Sequence, residues 1–202
     1  MNFPKTPGQC KYMLALRSPK PIVVGTGPAG TGKTILACQV ALDHVATFQR
    51  PRIVLTRPIV AADEDMGYLP GDMVQKMEPW TKPMYDIFER FFTHSQMDRL
   101  ITVEPLGYMR GRTFENTLII ADEMQNATPN QMKMLLTRVG EGTKLIVTGD
   151  LEQSDLGPEN GLQDLIYKMQ CQDLQYITHV GMGDEDIVRH PVVKEVLGIL
   201  SK

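Results

Sequence analysis

The feature that most constrains this chain is a glycine-rich segment between a short apolar run and a helix-favouring stretch. Residues 27–34 fit the phosphate-loop pattern G-x-x-x-x-G-K-[ST] and read Gly-Pro-Ala-Gly-Thr-Gly-Lys-Thr. The apolar run 22–24 predicts a buried strand before the loop, and 33–46 predicts a helix after it. Glycines allow the backbone to turn its N–H groups towards phosphate oxygens, and the helix N-terminus adds a positive dipole end. The segment therefore predicts a nucleoside triphosphate site on an α/β fold.

Each position of this loop has an expected contact. Lys33 is expected to reach the β- and γ-phosphates, and the Thr34 hydroxyl is expected to hold Mg²⁺. The other predicted nucleotide-binding residues of the loop are Gly27, Pro28, Ala29, Gly30, Thr31 and Gly32. The alternative interpretation is a glycine-rich turn that happens to carry Lys-Thr, and the flanking strand and helix argue against it.

Six short apolar runs predict strands, at 22–24, 52–56, 100–103, 118–121, 145–148 and 174–177. Most are continuous rather than alternating, which is typical of strands buried on both faces of a parallel sheet. Helices are predicted at 33–46, 129–138, 161–170 and 191–200. This alternation predicts a three-layer α/β/α domain with a largely parallel sheet and right-handed crossovers.

Two carboxylates follow the predicted strand at 118–121, where an α/β sheet binds its ligands. Asp122 is expected to hold the Mg²⁺ shell, and Glu123 to orient and deprotonate the attacking water. An apolar run followed by Asp-Glu is a weak signal alone, because many such pairs are solvated strand ends. Together with the phosphate loop, the pair favours hydrolysis over transfer to a small-molecule acceptor.

A third polar group follows the strand at 145–148. Thr148, Asp150 or Gln153 is expected to sense the γ-phosphate or its water, although Gly149-Asp150 also fits a plain turn. An arginine is needed as well, because charge spreads over the γ-phosphoryl oxygens in the transition state. The sequence leaves five candidates open: Arg57, Arg110, Arg112, Arg138 and Arg189.

Length and composition predict one soluble globular domain. The chain has 202 residues, 42% hydrophobic and 22% charged, with a net charge of −3. Residues 1–202 are expected to form a single domain with an insertion at the sheet rim, at about 61–95. The insertion begins with an acidic stretch at 63–65 and is expected to contain a helical piece at 85–92. The three cysteines suggest free thiols in a reducing compartment, and no apolar run is long enough to span a bilayer. We therefore expect a cytoplasmic protein without membrane contact.

Seven motifs in family order resemble the PhoH family, over about residues 5–200. They are Gly-Pro-Ala-Gly-Thr-Gly-Lys-Thr, Leu-Thr-Arg-Pro, Gly-Tyr-Leu-Pro-Gly-Asp, Tyr-Met-Arg-Gly-Arg-Thr, Asp-Glu-Met-Gln-Asn, Thr-Gly-Asp and Val-Arg-His-Pro. The resemblance implies a cytoplasmic ATPase whose core is similar to the first motor domain of superfamily-one helicases. A chain of this size suggests a phage-type or minimal bacterial member, in the host cytoplasm if phage-encoded. Met124 departs from the family, which usually has Ala there.

The resemblance also implies roles for individual residues. Gln9 matches the upstream glutamine that reads adenine, which favours ATP over GTP, and Gln125 completes a helicase-like Asp-Glu-x-Gln signature. Asp150 and Gln153 match a motif that couples hydrolysis to movement. Arg189, in the Arg-His-Pro motif, is the first choice for a finger inserted into a neighbouring subunit.

Such helicases place ATP between two motor domains, whereas this chain has length for one. We therefore expect a homo-oligomer, most simply a ring and with a hexamer favoured, that is linked to RNA or other single-stranded nucleic acid and has possible RNA helicase activity. The expected nucleic-acid stripe consists of Arg57, Lys76, Lys82, Arg110 and Arg112, with Tyr68, Trp80 or Tyr108 for stacking. The alternatives are a slow nucleotide-dependent interaction module and a small-molecule kinase.

Overall fold

Six parallel strands form one sheet in the part of the chain that the computed structural model describes, which is residues 4–47, 51–59, 73–189 and Val192. The strands are β1 (Ile22–Thr26), β2 (Arg52–Thr56), β3 (Ile101–Val103), β4 (Thr117–Ala121), β5 (Lys144–Gly149) and β6 (Ile177–Gly181). The helices are α1 (Pro7–Arg17), α2 (Lys33–Thr47), α3 (Met73–Phe88), α4 (His94–Leu100), α5 (Pro129–Leu136) and α6 (Gly161–Gln170). The strand order is β3-β2-β4-β5-β1-β6.

The continuous apolar runs are explained by two cores, one on each face of the sheet. Along β2, Ile53 and Leu55 pack in the core that contains Leu36 of α2. Val54, between them, packs in the opposite core with Leu162 of α6. Because successive strand residues point to opposite faces, a strand covered by helices on both sides needs no polar alternation. The three-layer α/β/α prediction is therefore confirmed.

The strand order determines where the site lies. β1 pairs with β5 on one side and with β6 on the other, and β4 pairs with β5. Because the strands are parallel, the segments that follow them all leave the same edge of the sheet. The phosphate loop after β1, the carboxylates after β4 and the polar turn after β5 are thereby brought together.

Two elements differ from the sequence prediction. The strand predicted at 174–177 is shifted, since β6 begins at Ile177, while the carbonyl of Tyr176 accepts a hydrogen bond from the Ile22 N–H. As an edge strand with half-buried side chains, β6 accommodates Thr178 and His179, which disguise it in the sequence. Helix α1 was not predicted; it begins at an N-cap formed by Thr6.

Residues 73–95 are the described part of the predicted rim insertion at 61–95. Helix α3 buries Met84 and Phe88 in the same core as Leu36, and it packs on α2 and β3. It is therefore part of a helical layer. Two prolines inside it, Pro79 and Pro83, concealed the helix in the sequence because proline usually ends one. The acidic stretch 63–65 and the predicted helix 191–200 lie outside the described residues.

None of the helices within the described ranges combines the length and the apolar character that a membrane span requires.

Candidate nucleotide-binding site

The glycine-rich loop joins β1 to α2 at the carboxyl edge of the sheet. Gly30 and Gly32 have φ angles of 90° and 83°, a region that strains residues with a side chain. Helix α2 begins at Lys33, so its first N–H groups and its dipole face the same space as the loop. The local fold is therefore the strand, loop and helix that the sequence predicts.

Lys33 lies against its own loop. Its Nζ atom donates hydrogen bonds to the carbonyls of Gly27 at 2.5 Å and Pro28 at 3.0 Å. Burial lowers the pKa of this ammonium group below its ordinary value, while the nearby carboxylates of Asp150, Asp122 and Glu123 act in the opposite direction. The side chain is thus held beside the cavity by backbone oxygens and carboxylates.

Thr34, Asp122 and Thr148 form a cluster of oxygen atoms. The Thr34 hydroxyl lies 3.3 Å from each carboxylate oxygen of Asp122, and the Thr148 hydroxyl donates a hydrogen bond to the same carboxylate. Hydroxyl and carboxylate oxygens are the ligands that Mg²⁺ prefers. Among the described residues, no three His, Cys, Asp or Glu side chains form a metal-binding group. This cluster therefore fits a cation that takes its remaining ligands from phosphates and water.

Glu123 has a strained backbone and a supported side chain. Its φ and ψ are 54° and 37°, in the left-handed region that costs a non-glycine residue about 1–3 kcal/mol. The buried Gln125 donates from Nε2 to the Glu123 carboxylate at 2.6 Å, and its Oε1 accepts from the Asp150 N–H at 3.1 Å. Gln125 therefore joins the segment after β4 to the segment after β5. The sequence signature contained this residue but gave no indication of its contacts.

These segments surround a cavity of about 290 Å³. Its lining consists of Ala29, Gly30, Gly32, Lys33, Thr34, Ile35, Asp122, Glu123, Gly149, Asp150, Gln153 and Val188. Three carboxylates and one ammonium group belong to that lining. A polyphosphate would need further positive charge there, from a metal ion or from another cation.

Gln9 does not belong to the cavity lining. The side chain is fully buried, its Nε2 donates to the carbonyls of Thr31 at 3.1 Å and Asp186 at 3.3 Å, and its Oε1 accepts from the Lys5 N–H at 2.7 Å. Both amide protons are therefore used inside the protein. A role in reading adenine, which the resemblance implies, would require this amide to give up these partners. Among the predicted loop residues, Gly27, Pro28 and Thr31 also lie outside the lining.

Arg189 lies on the phosphate loop of its own chain. Its Nη2 donates to the carbonyl of Ala29 at 2.7 Å, next to the point where the Val188 N–H donates to Gly30 at 3.0 Å. A Cβ at Gly30 would come within 2.6 Å of the Arg189 Nε atom. The other candidates are engaged elsewhere or exposed: Arg57 over the Trp80 ring, Arg112 on Glu104, Arg138 on backbone carbonyls, and Arg110 at the surface.

Asp186 is a buried residue that the sequence reasoning missed. Its carboxylate accepts hydrogen bonds from the Thr6 hydroxyl at 2.5 Å, the Gly8 N–H at 3.0 Å and the Gly183 N–H at 3.1 Å. Burial acts to raise the pKa of Asp186, but these hydrogen bonds and the charge of Lys11 outweigh it, so the pKa lies below its ordinary value. In the sequence Asp186 looks like part of a solvated acidic run, because Asp184 and Glu185 precede it.

Some residues of the expected nucleic-acid stripe are paired with other side chains, and others are exposed. Lys82 pairs with Asp86 at 3.6 Å, and Arg112 pairs with Glu104. Tyr108 is 61% exposed, and the Arg57 guanidinium lies 5.5 Å from the Trp80 ring centre. Tyr68 and the side chain of Lys76 lie outside the described part of the chain.

Curated bacterial proteins are similar to nearly the whole chain. It is 41% identical over 205 residues to the PhoH-like protein of Bacillus subtilis and 40% identical over 202 residues to Protein PhoH of Escherichia coli K12. The alignments cover 98% and 96% of this chain but 63% and 56% of those proteins. The chain therefore spans about three fifths of the length of the relatives that it matches.

Solved structures support the fold. The large terminase of a thermophilic bacteriophage is similar over 98% of this chain and 50% of its own chain, at 15% identity and a TM-score of 0.65. The same terminase in complex with ADP gives a TM-score of 0.62 at 14% identity. The chain therefore shares its α/β fold with half of the terminase chain. The family pattern described as PhoH-like protein matches residues 3–201. Since the match extends over nearly the whole sequence, this chain is a member of the PhoH-like protein family.

Proposed function

We propose that this chain binds ATP with Mg²⁺ and hydrolyses it to ADP and phosphate. The observation that carries the proposal is the convergence of three segments on one cavity. Lys33 and Thr34 from the phosphate loop, Asp122 and Glu123 from the end of β4, and Gln153 after β5 all belong to its lining. This convergence supports a site in which phosphate-binding, metal-binding and water-activating groups act on one triphosphate.

Each lining residue has a proposed role around the bound triphosphate. Gly30, Gly32 and Lys33 hold the β- and γ-phosphate oxygens through backbone N–H groups and the ammonium group. Thr34 and Asp122 hold Mg²⁺, which neutralises phosphate charge when it is bound. Glu123 orients a water molecule and takes its proton as the water oxygen bonds to the γ-phosphorus and the bond to the bridging oxygen breaks. Gln153 and Asp150 sense that change.

Arg189 does not line the cavity but binds the backbone of the loop, and from there it is proposed to add positive charge near the phosphates. Its contact with the Ala29 carbonyl favours action within its own chain rather than in a neighbour. Oligomerisation remains part of the proposal because related motors enclose ATP between two domains, and a ring of six is the form we favour. We propose the cytoplasm as the compartment, which the three free cysteines support.

A nucleic-acid strand is the proposed polymer partner, with RNA favoured. The loops after the neighbouring strands β2 and β3 carry Arg57 over Trp80 and the exposed Tyr108 beside Arg110. Aromatic rings and guanidinium groups are suitable for stacking and for phosphate contact. The same proposal extends to strand separation driven by hydrolysis.

Phosphate release by wild-type protein, with and without single-stranded RNA or DNA, tests the function. Lys33→Ala should abolish turnover, and Glu123→Gln should retain ATP but hydrolyse it on the order of 10²–10⁴-fold more slowly. Normal hydrolysis by Glu123→Gln would show the base assignment to be wrong. Slow turnover without stimulation by a strand would favour the interaction module, and turnover only with an added acceptor would favour a kinase.

A further inference from the structure

We propose that Gln9 and Asp186 are positioning residues that hold the phosphate loop in its binding shape, and that Gln9 does not read the nucleotide base. The proposal concerns the site assigned above, and its nucleotide arm rests on the proposed function. The evidence is a set of hydrogen bonds that reach the outer side of the loop from two distant parts of the chain.

Three consecutive loop carbonyls accept hydrogen bonds from outside the loop. Ala29 accepts from the Arg189 side chain, Gly30 from the Val188 N–H and Thr31 from the Gln9 side chain. In a planar trans peptide the C=O and the following N–H point in opposite directions. The donors to the carbonyls of Ala29 and Thr31 are Arg189 and Gln9, which do not line the cavity. The N–H groups on the opposite side of these two peptides, those of Gly30 and Gly32, are therefore directed towards the cavity.

Asp186 connects the two sources of these donors. Its carboxylate accepts from Thr6 and Gly8, at the start of α1, and its own carbonyl accepts from the Gln9 side chain. A Cβ at Gly8 would overlap the Asp186 carboxylate, so the two segments are in close contact. Asp186 is only 2% exposed, so its carboxylate is enclosed by the groups that it binds. It thereby holds the N-terminal segment against the segment after β6, independently of the contacts that each makes with the loop.

Helix α1 also supports the strand that leads into the loop. The ring of Tyr12, one helical turn after Gln9, lies where a Cβ at Gly25 would be. One face of α1 thus contacts both β1 and the loop. Gln9 lies on this face of α1. Both protons of its side-chain amide are donated within the protein and its oxygen accepts one hydrogen bond, so no proton is left for a nucleotide base.

Hydrogen–deuterium exchange in nucleotide-free protein provides the first test. Gln9→Met keeps the length of the side chain but removes its donors. The N–H groups of Gly27 and Thr31, and the Val188 N–H that donates to Gly30, should then exchange about tenfold faster, as expected for the loss of one internal hydrogen bond. Asp186→Asn should give the same pattern. Arg17→Gln, on the exposed side of the same helix, is the matched control and should leave these amides unchanged. Unchanged exchange in Gln9→Met would overturn the proposal.

The second test compares ATP with GTP. If Gln9 acts through the loop, kcat/KM should fall by the same factor for both nucleotides in Gln9→Met and in Asp186→Asn. If Gln9 reads adenine, ATP turnover should fall while GTP turnover is unchanged, and this outcome would overturn the proposal. Thr6→Val removes a hydrogen bond to Asp186 without changing the buried amide, so it tests the same network if Gln9→Met does not fold.

The exchange and turnover measurements distinguish a failure of this proposal from a failure of the proposed function. Wild-type protein without nucleotide turnover would refute ATP hydrolysis, whereas the exchange measurement would still test the support of the loop. Normal wild-type hydrolysis combined with unchanged exchange in both variants would refute only the positioning role.

Discussion

Glu123 combines a left-handed backbone with a carboxylate whose direction depends on a neighbour. Gln125 supplies that neighbour, since its Nε2 donates to Glu123 and its Oε1 accepts from Asp150. A general base is effective only when its oxygen is aligned with the water that it deprotonates. The geometry therefore makes the proposed base depend on an amide that does not line the cavity.

We predict that Gln125→Met lowers kcat for ATP hydrolysis by about 10²-fold, the cost of a small misplacement of a reacting group. KM should change little, because the phosphate contacts come from the loop. Steady-state phosphate release measures both parameters. Gln163→Met, on an exposed position of α6, is the control. A rise in KM at constant kcat would contradict a role in orienting Glu123.

Asp122 is predicted to make nucleotide binding dependent on magnesium. The cavity has three carboxylates and one lysine in its lining, so a triphosphate without a metal ion meets net repulsion. Asp122→Asn removes one charge and should bind ADP in EDTA roughly tenfold more tightly than wild type, while gaining less from added Mg²⁺. Titration calorimetry gives both affinities, and Asp164→Asn on the surface of α6 is the control. Weaker binding of ADP in EDTA by Asp122→Asn would show the prediction to be wrong.

At the scale of elements, helix α3 provides the sharpest test of the architecture. Phe88 is fully buried, whereas Phe91, just beyond the helix, is 53% exposed. If α3 is a layer of the domain, Phe88→Ala should lower the free energy of unfolding by about 3–5 kcal/mol. Phe91→Ala should change it by less than about 0.5 kcal/mol. Urea denaturation measures the free energy of unfolding of both variants. Equally small decreases would show that α3 is not a layer of the domain but lies at the rim of the sheet.

Elements with a strong local pattern were predicted well from the sequence. β2 and α6 have the predicted bounds, because one is a continuous apolar run and the other has a clear amphipathic repeat after Asn160. Helix α3 was largely missed because proline usually ends a helix, whereas Pro79 and Pro83 lie on the exposed side of α3 and Met84 and Phe88 pack in the core. β6 was shifted because an edge strand with one paired neighbour tolerates polar residues.

The residues of the candidate site also differ in how far a local sequence pattern predicts them. The sequence predicts Lys33 and Thr34 from one local motif and Asp122 and Glu123 from another, and the fold brings all four to one cavity. Gln9 was placed in the site by analogy, but its buried amide depends on Asp186, which lies 177 residues away. Contacts over such distances in sequence have no local pattern, so only the fold reveals them.

At the scale of the whole molecule, the central question is which copy supplies the arginine. We predict that an equal mixture of Arg189→Ala and Lys33→Ala proteins is no more active than the two variants assayed separately, because Arg189 contacts its own loop. A finger acting across subunits would instead restore about a quarter of the sites in a randomly mixed ring. Sedimentation with ATP and Mg²⁺ gives the assembly state, and a monomer at micromolar concentration would exclude the ring.

The distance in sequence between Thr6 and Asp186 has a consequence for biosynthesis. Their hydrogen bond joins residues 180 positions apart, and Val188 and Arg189 contact the loop from the same late segment. The ribosome makes the phosphate loop early, yet its outer carbonyls lack these donors until almost all of the described chain has emerged. A nascent chain should therefore be unable to capture nucleotide prematurely. Nucleotide capture at the proposed site would then follow the synthesis of residues 186–189 and would report that the N-terminal segment has joined the segment after β6.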